Sequence, residues 1–324
     1  MAVVYIDRKG CLLKRDGNTI ALYSDGKKQG TIPLGPVERI IVVGNCTVET
    51  SLLRYVTARG AVVAFLSARG RAMPAIVTSR QNFNGALRVL QYKRSLQEDF
   101  IIKFCTQLVH KKISGQMILL KELGQTHSTS ILHLKDTLAQ MEGILSKVRE
   151  GESLESLRGL EGSAGRLYFT ELARLLPQEL GFRGRTRRPP KDPVNAMLSF
   201  SYSLFYTEIV TALLIAGLEP TIGFYHCFDY GRDSLACDIE EVFRPDIDRF
   251  VCKLFLEKCF SRKDFIQEKG GVYLKKSARA RFYPLYEENM TPIRTAMRDF
   301  IRTLIEEIKD EEKPLHCTQK GSED

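Results

Sequence analysis

A histidine and a group of carboxylates lie close together between Ile222 and Phe250, in IGFYHCFDYGRDSLACDIEEVFRPDIDRF. His226 ends an apolar run and opens a polar loop that contains glycine. Asp238-Ile239-Glu240-Glu241 follows, closed by Phe243-Arg244-Pro245. If Asp238 begins a helical turn, Asp238 and Glu241 share one face. Ile239, Val242 and Phe243 then form an apolar arc beside that pair, and Glu240 points away beyond its other edge. An imidazole and two carboxylates at the border of a buried surface suit a divalent cation held in a half-dry cleft. The same residues also suit the wet face of an amphipathic helix beside a satisfied core histidine, because clustered ionisable groups mark sites only statistically.

Two other segments carry chemistry. Glu161 stands among small residues in GLEGSAGRLYF, a composition that lets another helix or a ligand backbone approach closely. Its plain alternative is a surface glutamate paired with Arg158 or Arg166. Further on, Arg183, Arg185, Arg187, Arg188 and Lys191 form a cationic run stiffened by Pro189-Pro190. Such a run neutralises phosphates without reading base sequence. Asn195, just inside the next helix, suits either donation to a phosphate or the capping of a turn. His110, His127, His133 and His316 read as surface residues.

The elements that must position these groups fall into two kinds. Short β-rich runs at Val3–Ile6, Cys11–Arg15, Thr19–Ser24, Thr31–Leu34, Arg39–Val43, Ala61–Phe65 and Pro74–Val77, with a helix at Ser51–Arg59, make a β-rich unit over residues 1–80. Asp16-Gly17-Asn18 is a hairpin signal. From residue 81 to 309 the spacing of apolar residues is helical: Leu87–Lys112, Gln116–Leu123, Ser130–Val148, Leu154–Leu176, Val194–Ala216 and Thr291–Ile308. Pro245 is expected to break the helix carrying the acidic cluster before a further run, Ile247–Phe260. Gly270-Gly271 suggests a small hairpin, and the charged tail over 310–324 reads as disordered. The fold class expected is therefore α+β, an amino-terminal β-rich domain followed by a larger helical one.

Composition narrows the partners. A net charge of +9 favours a polyanionic partner. The stretch MAVVYIDRKG meets charge by Asp7 and does not read as a secretory signal. Ser199–Gly217 carries Glu208 and many hydroxyls, so it reads as a buried helix rather than a membrane span, and a cytoplasmic protein is expected. The eight cysteines show no C-x-x-C spacing, which argues against a zinc ribbon. A zinc site joining His226 to Cys227 or Cys237 is a competing reading, although adjacent residues such as His226 and Cys227 rarely aim at one ion.

LEGSAGRLYF, RPPKDPVNAMLSFSYSLFY, GLEPTIGFYH and SLACDIEEVFRPDIDR, in that order and spacing, resemble the CRISPR-associated endonuclease one family, the integrase subunit of CRISPR adaptation. RVLQY and KKISGQ extend the resemblance over nearly the whole chain. The resemblance implies a catalytic set of Glu161, His226, Asp238 and Glu241, with Glu161, His226 and Glu241 as metal ligands and Asp238 their close neighbour. This chain has Glu241 where some relatives have Asp, which moves the oxygen but keeps the charge. It further implies Mg²⁺ or Mn²⁺, and cutting of DNA together with attack by a 3′-hydroxyl to join a new fragment to a repeat. DNA contacts would come from Arg183, Arg185, Arg187, Arg188, Lys191 and Asn195. The implied assembly is a homodimer, dimerising through the β-rich domain, with CRISPR-associated protein two in a larger integration complex. The competing class is a non-catalytic DNA-binding scaffold whose acidic cluster is structural.

Overall fold

The computed structural model describes residues 2–67, 75–79, 84–126, 131–149, 153–186, 189–226 and 231–310. Eight strands and one helix come first: β1 Ala2–Ile6, β2 Leu12–Asp16, β3 Thr19–Ser24, β4 Lys27–Pro33, β5 Val37–Val42, β6 Thr47–Val48, α1 Thr50–Ala58, β7 Val62–Phe65 and β8 Ala75–Val77. The helical part follows with α2 Gly85–Arg94, α3 Glu98–Thr126, α4 Ile131–Arg149, α5 Leu154–Leu175, α6 Pro193–Ala216, α7 Ser234–Leu256 and α8 Lys276–Lys309. Between α7 and α8 a hairpin of β9 Phe265–Glu268 and β10 Gly271–Leu274 turns at Gly270. The α+β class is as expected.

The strands form two sheets. One runs β1-β5-β7-β8, with β1, β5 and β7 parallel and β8 antiparallel, and the other runs β4-β3-β2-β6. Asp16 faces Thr19 across β2 and β3, so Gly17 and Asn18 make the expected two-residue turn, with Gly17 at φ 58°. Side chains alternate across a strand, and in β5 both faces are apolar. Ile40 and Val42 join Val4, Ile6, Leu13, Leu52 and Val63 in a small core between the two sheets. Ile41 and Val43 face the other way and join the main core with Phe104 and the helices. A strand buried on both faces reads as an unbroken apolar run, and Ile40-Ile41-Val42-Val43 is one.

That second sheet face also docks onto the helices by a polar network. Tyr5 stacks on Tyr283 with ring centroids 4.0 Å apart. Asp7 accepts from Arg279 at 2.6 and 3.0 Å and from Tyr283 at 2.9 Å. Arg39 pairs with Glu208 of α6 at 2.7 Å and with Glu287 of α8 at 3.0 Å, and Arg294 closes the network onto Glu208 at 2.6 Å.

Helix ends differ from the expectation in informative places. The first apolar helical run is split: α2 ends at Arg94, Ser95–Gln97 turn the chain, and α3 continues from Glu98 without a break through Lys112 and Leu123. Pro245 does not break its helix. Instead α7 is continuous, and a Cβ on Gly115 of α3 would lie 3.0 Å from the Pro245 ring, so the two helices touch there without side-chain spacing. Proline inside a helix gives up the bond to the carbonyl four residues back, here that of Glu241, and its ring crowds that carbonyl, yet α7 runs on through it. α8 likewise runs through Pro284 and Pro292. α6 is the one helix among the described residues long and apolar enough to cross a membrane, but 61% of that window is buried inside the protein. The boundary expected near residue 80 and the tail from 311 onward lie outside the described residues.

Candidate active site

The acidic cluster sits on the first three turns of α7, against α3 and the loop that precedes α7. Asp238 is fully buried, and its carboxylate organises that loop. Oδ2 accepts the backbone N–H groups of Phe224 and Tyr225 at 2.7 and 3.0 Å. Oδ1 accepts the N–H of His226 at 2.9 Å and lies 2.7 Å from its Nδ1. Gly223 permits this: a Cβ there would come within 2.7 Å of Asp238 Oδ2 and of the Ser234 backbone. With Nδ1 donating to Asp238, the imidazole is fixed in orientation and Nε2 carries the ring's lone pair.

Glu241 stands one turn on, 5% exposed. Its Oε1 accepts from Arg244 and its Oε2 from the ammonium of Lys112 at 2.5 Å. Lys112, from the middle of α3, also donates to Glu161 of α5. Two carboxylates from segments 80 residues apart therefore meet on one cation. Burial pushes the Glu241 carboxyl up, but the Arg244 guanidinium, Lys112 and nearby His226 outweigh it and hold the group well below the usual carboxylate range. The Tyr225 phenol faces the same place: burial first, then Glu161 and Glu241, push it up, and its buried hydroxyl has no hydrogen-bond partner among the described residues.

Glu161, Glu241 and His226 are thus brought to one place. Glu240, expected to point away, is buried and shares Arg244 with Glu241, at 2.9 Å. Among the described residues no three His, Cys, Asp or Glu groups are arranged to hold a metal ion, and Lys112 lies between two of the carboxylates. The donor set still fits a cation. Its carboxylates already bind one, the imidazole beside them bonds Asp238 through Nδ1 alone, and among the described residues the buried Tyr225 hydroxyl has no partner there. For zinc, Cys237 offers little, half-buried beside Arg232, and Cys227 lies outside the described residues.

The cationic run precedes α6. Arg183 is exposed. Arg185 bonds Asn195 Oδ1 at 2.8 Å, and Lys191 reaches the Gly270 carbonyl at 3.0 Å. Asn195 is fully buried and staples the loop, donating to Gly184 and Asp192 and accepting from Thr186 N–H at 2.9 Å. Arg187 and Arg188 lie outside the described residues. One aromatic ring joins this loop to the acidic site: Arg185 and Arg244 lie 5.3 and 5.1 Å from the centroid of Tyr202. The Tyr202 hydroxyl donates to buried Asp248, which also accepts from Tyr168 at 2.8 Å.

The family profile described as CRISPR associated protein Cas1 matches residues 4–288. A protein of Thermodesulfovibrio yellowstonii named CRISPR-associated endonuclease Cas1 1 is 42% identical, over 95% of this chain and 98% of its own. The chain belongs to the Cas1 family. Another Cas1 endonuclease, from Thermus thermophilus, is 33% identical over 89% of this chain and 84% of its own. In fold the chain is similar to the Cas1 protein TM1797 from Thermotoga maritima, at TM-score 0.82 and 24% identity with all of both chains covered. It is similar also to a casposase bound to integration product, at TM-score 0.84 and 20% identity, over 100% of this chain and 95% of that one.

Lys112 and Arg244 pair with the candidate site's carboxylates, and sequence reasoning did not single them out. Lys112 sits in His110-Lys111-Lys112, which looks like a solvated helix face, and Arg244 lies in the quoted FRP segment. Gly115, three residues after Lys112, was the available signal, since a helical glycine marks close approach of a neighbour.

Proposed function

We propose that this Cas1 chain is a divalent-metal-dependent DNA endonuclease and integrase, which joins a new DNA fragment to a CRISPR repeat by attack of a 3′-hydroxyl on a phosphodiester. The observation that carries the reading is the convergence of Glu161 and Glu241 on a single cation beside an imidazole oriented by Asp238. Glu161, His226 and Glu241 would hold Mg²⁺ or Mn²⁺, and Asp238 would orient the His226 ring rather than bind the ion. When bound, such an ion polarises the scissile phosphate and supports the attacking oxygen. The protein's own share is positioning. Buried Glu241 and half-buried Glu161 would fix where the reacting phosphate can lie, and the loop around Arg183 and Arg185 would bind the backbone close by. Asn195 serves that binding by shaping the loop. Solved structures similar to this chain include one described as a Cas6-RT-Cas1–Cas2 complex. We extend the reading to a homodimer, dimerising through the β-rich domain over 1–80, that assembles with CRISPR-associated protein two around the helical catalytic domain over 81–309.

The test is incubation with a 3′-hydroxyl DNA fragment and a supercoiled target in Mg²⁺ or Mn²⁺, with and without the companion protein. Joining or cleavage is expected from the native chain and is expected to vanish in Glu161→Ala and in His226→Ala. Full activity in both variants overturns the assignment. The occupation of the acidic pair by Lys112 favours a second reading, a DNA-binding scaffold without catalysis, which predicts DNA binding with no metal-dependent product.

A further inference from the structure

The ammonium between Glu161 and Glu241 occupies the place that a divalent ion would need. Its Nζ is 2.5 Å from Glu241 Oε2, and a metal ion would sit at about 2.0–2.2 Å from the same oxygen. The two cations cannot share that point. Two features make lysine the member of the cluster that can leave. Its charge is a compact ammonium on a flexible four-carbon stem. Arg244, by contrast, is forked over Glu240 and Glu241 and flanks the Tyr202 ring, so it is fixed on three sides. The exit is also defined, because the side chain of Glu161 is 26% exposed while those of Lys112 and Glu241 are 7% and 6% exposed.

We propose that Lys112 is the resident cation of the acidic site, and that a divalent ion enters by displacing its ammonium from between Glu161 and Glu241. The inference rests on the metal-dependent reading above. Lys112 keeps two like charges together, buried Glu241 and half-buried Glu161, and so holds the site preformed. On exchange the ion takes over both carboxylates and Lys112 is released towards the Glu161 side. Net charge at the site changes by less than the full charge of the ion, since one positive group departs as another arrives.

The experiment follows lysine acylation by mass spectrometry on the intact chain, with and without Mn²⁺. Shielded Lys112 is expected to react several-fold faster once Mn²⁺ is bound, while exposed Lys253 keeps its rate. An unchanged Lys112 rate at saturating Mn²⁺ overturns the exchange. Calorimetric titration gives a second reading: Lys112→Met is expected to bind Mn²⁺ about tenfold more tightly, because no buried ion pair has to be broken first. Equal or weaker binding counts against the proposal. Titration of Glu161→Gln and His226→Ala separates the two levels of argument. If the native chain binds no Mn²⁺, or both variants bind it as the native chain does, the metal-site reading fails and the exchange with it. If binding needs both residues but Lys112 stays shielded, only the exchange fails. The acylation test uses the native chain, so it stands even if Lys112→Met does not fold.

Discussion

Asp238 spends both oxygens inside the protein, on three backbone N–H groups and the His226 ring. Buried acceptors of this kind are worth about 1.5–3 kcal/mol per charged bond, and more is lost when a donor is left stranded. Asp238→Asn would aim an amide N–H at a backbone N–H or at the ring. We expect a loss of stability on the order of 2–3 kcal/mol, read by thermal denaturation, together with loss of DNA joining as the imidazole turns away. At this scale the sequence offers the residue types: Glu161 and Glu241 share Lys112, and Asp238 holds the His226 ring. What each touches was not legible there. An aspartate that binds a loop and a glutamate that binds cations look alike in sequence, and Lys112 resembles its solvated neighbours until α5 and α7 are placed around it.

The site depends on how closely α3, α7 and the preceding loop can approach. Lys112, Gly115 and Glu122 of α3 meet Glu241, Pro245 and Arg249 of α7 in the same order, so the two helices run side by side in one direction. Glycine supplies the clearance twice. In Gly223→Ala the new methyl would collide with backbone at 2.7 Å, and we expect a cost of about 1–3 kcal/mol with the His226 loop displaced, seen as lower melting temperature and lost Mn²⁺ binding. Gly115→Ala meets the rigid Pro245 ring at 3.0 Å, and about 1 kcal/mol of gained helix propensity offsets part of the strain. A milder fall in melting temperature, with reduced joining activity, is expected there. Helix existence was readable from apolar spacing, whereas the uninterrupted course of α7 was not. The proline rule describes an isolated helix, and here α3 packs against the proline ring and makes the element continuous.

Across the whole molecule, two carboxylates, buried Glu208 and half-buried Asp7, join the first sheet to the helices. Burial pushes the Glu208 carboxyl up, but Arg39 and Arg294 outweigh it and the group lies below the ordinary glutamate value. Burial also raises Asp7, and Arg279 and Tyr283 bring it below the ordinary aspartate value. A carboxylate with a depressed folded pKa contributes stability above its unfolded value and loses it as pH falls through the folded one. The union of sheet and helices is therefore intact at neutral pH and weakens below about pH 4. The chain has no tryptophan and 12 tyrosines, so tyrosine fluorescence can follow that acid transition. Glu208→Gln leaves Arg39 and Arg294 with Glu287 as their remaining carboxylate, and we expect about 1–3 kcal/mol lost at pH 7 with a shallower acid limb. The division into strands and helices was plain in the sequence. Their attachment was not, because Tyr5, Asp7 and Arg39 find partners more than 160 residues away.

The same docking constrains how the chain is made. β1 leaves the ribosome before β5, its neighbour in the sheet, which follows within some 40 residues. The small core between the two sheets can close then, but Arg279, Tyr283 and Glu287, which complete the far side of β1 and β5, emerge about 240 residues after β5. Over that interval the sheet face lacks part of its cover, the condition under which growing polypeptides need a chaperone.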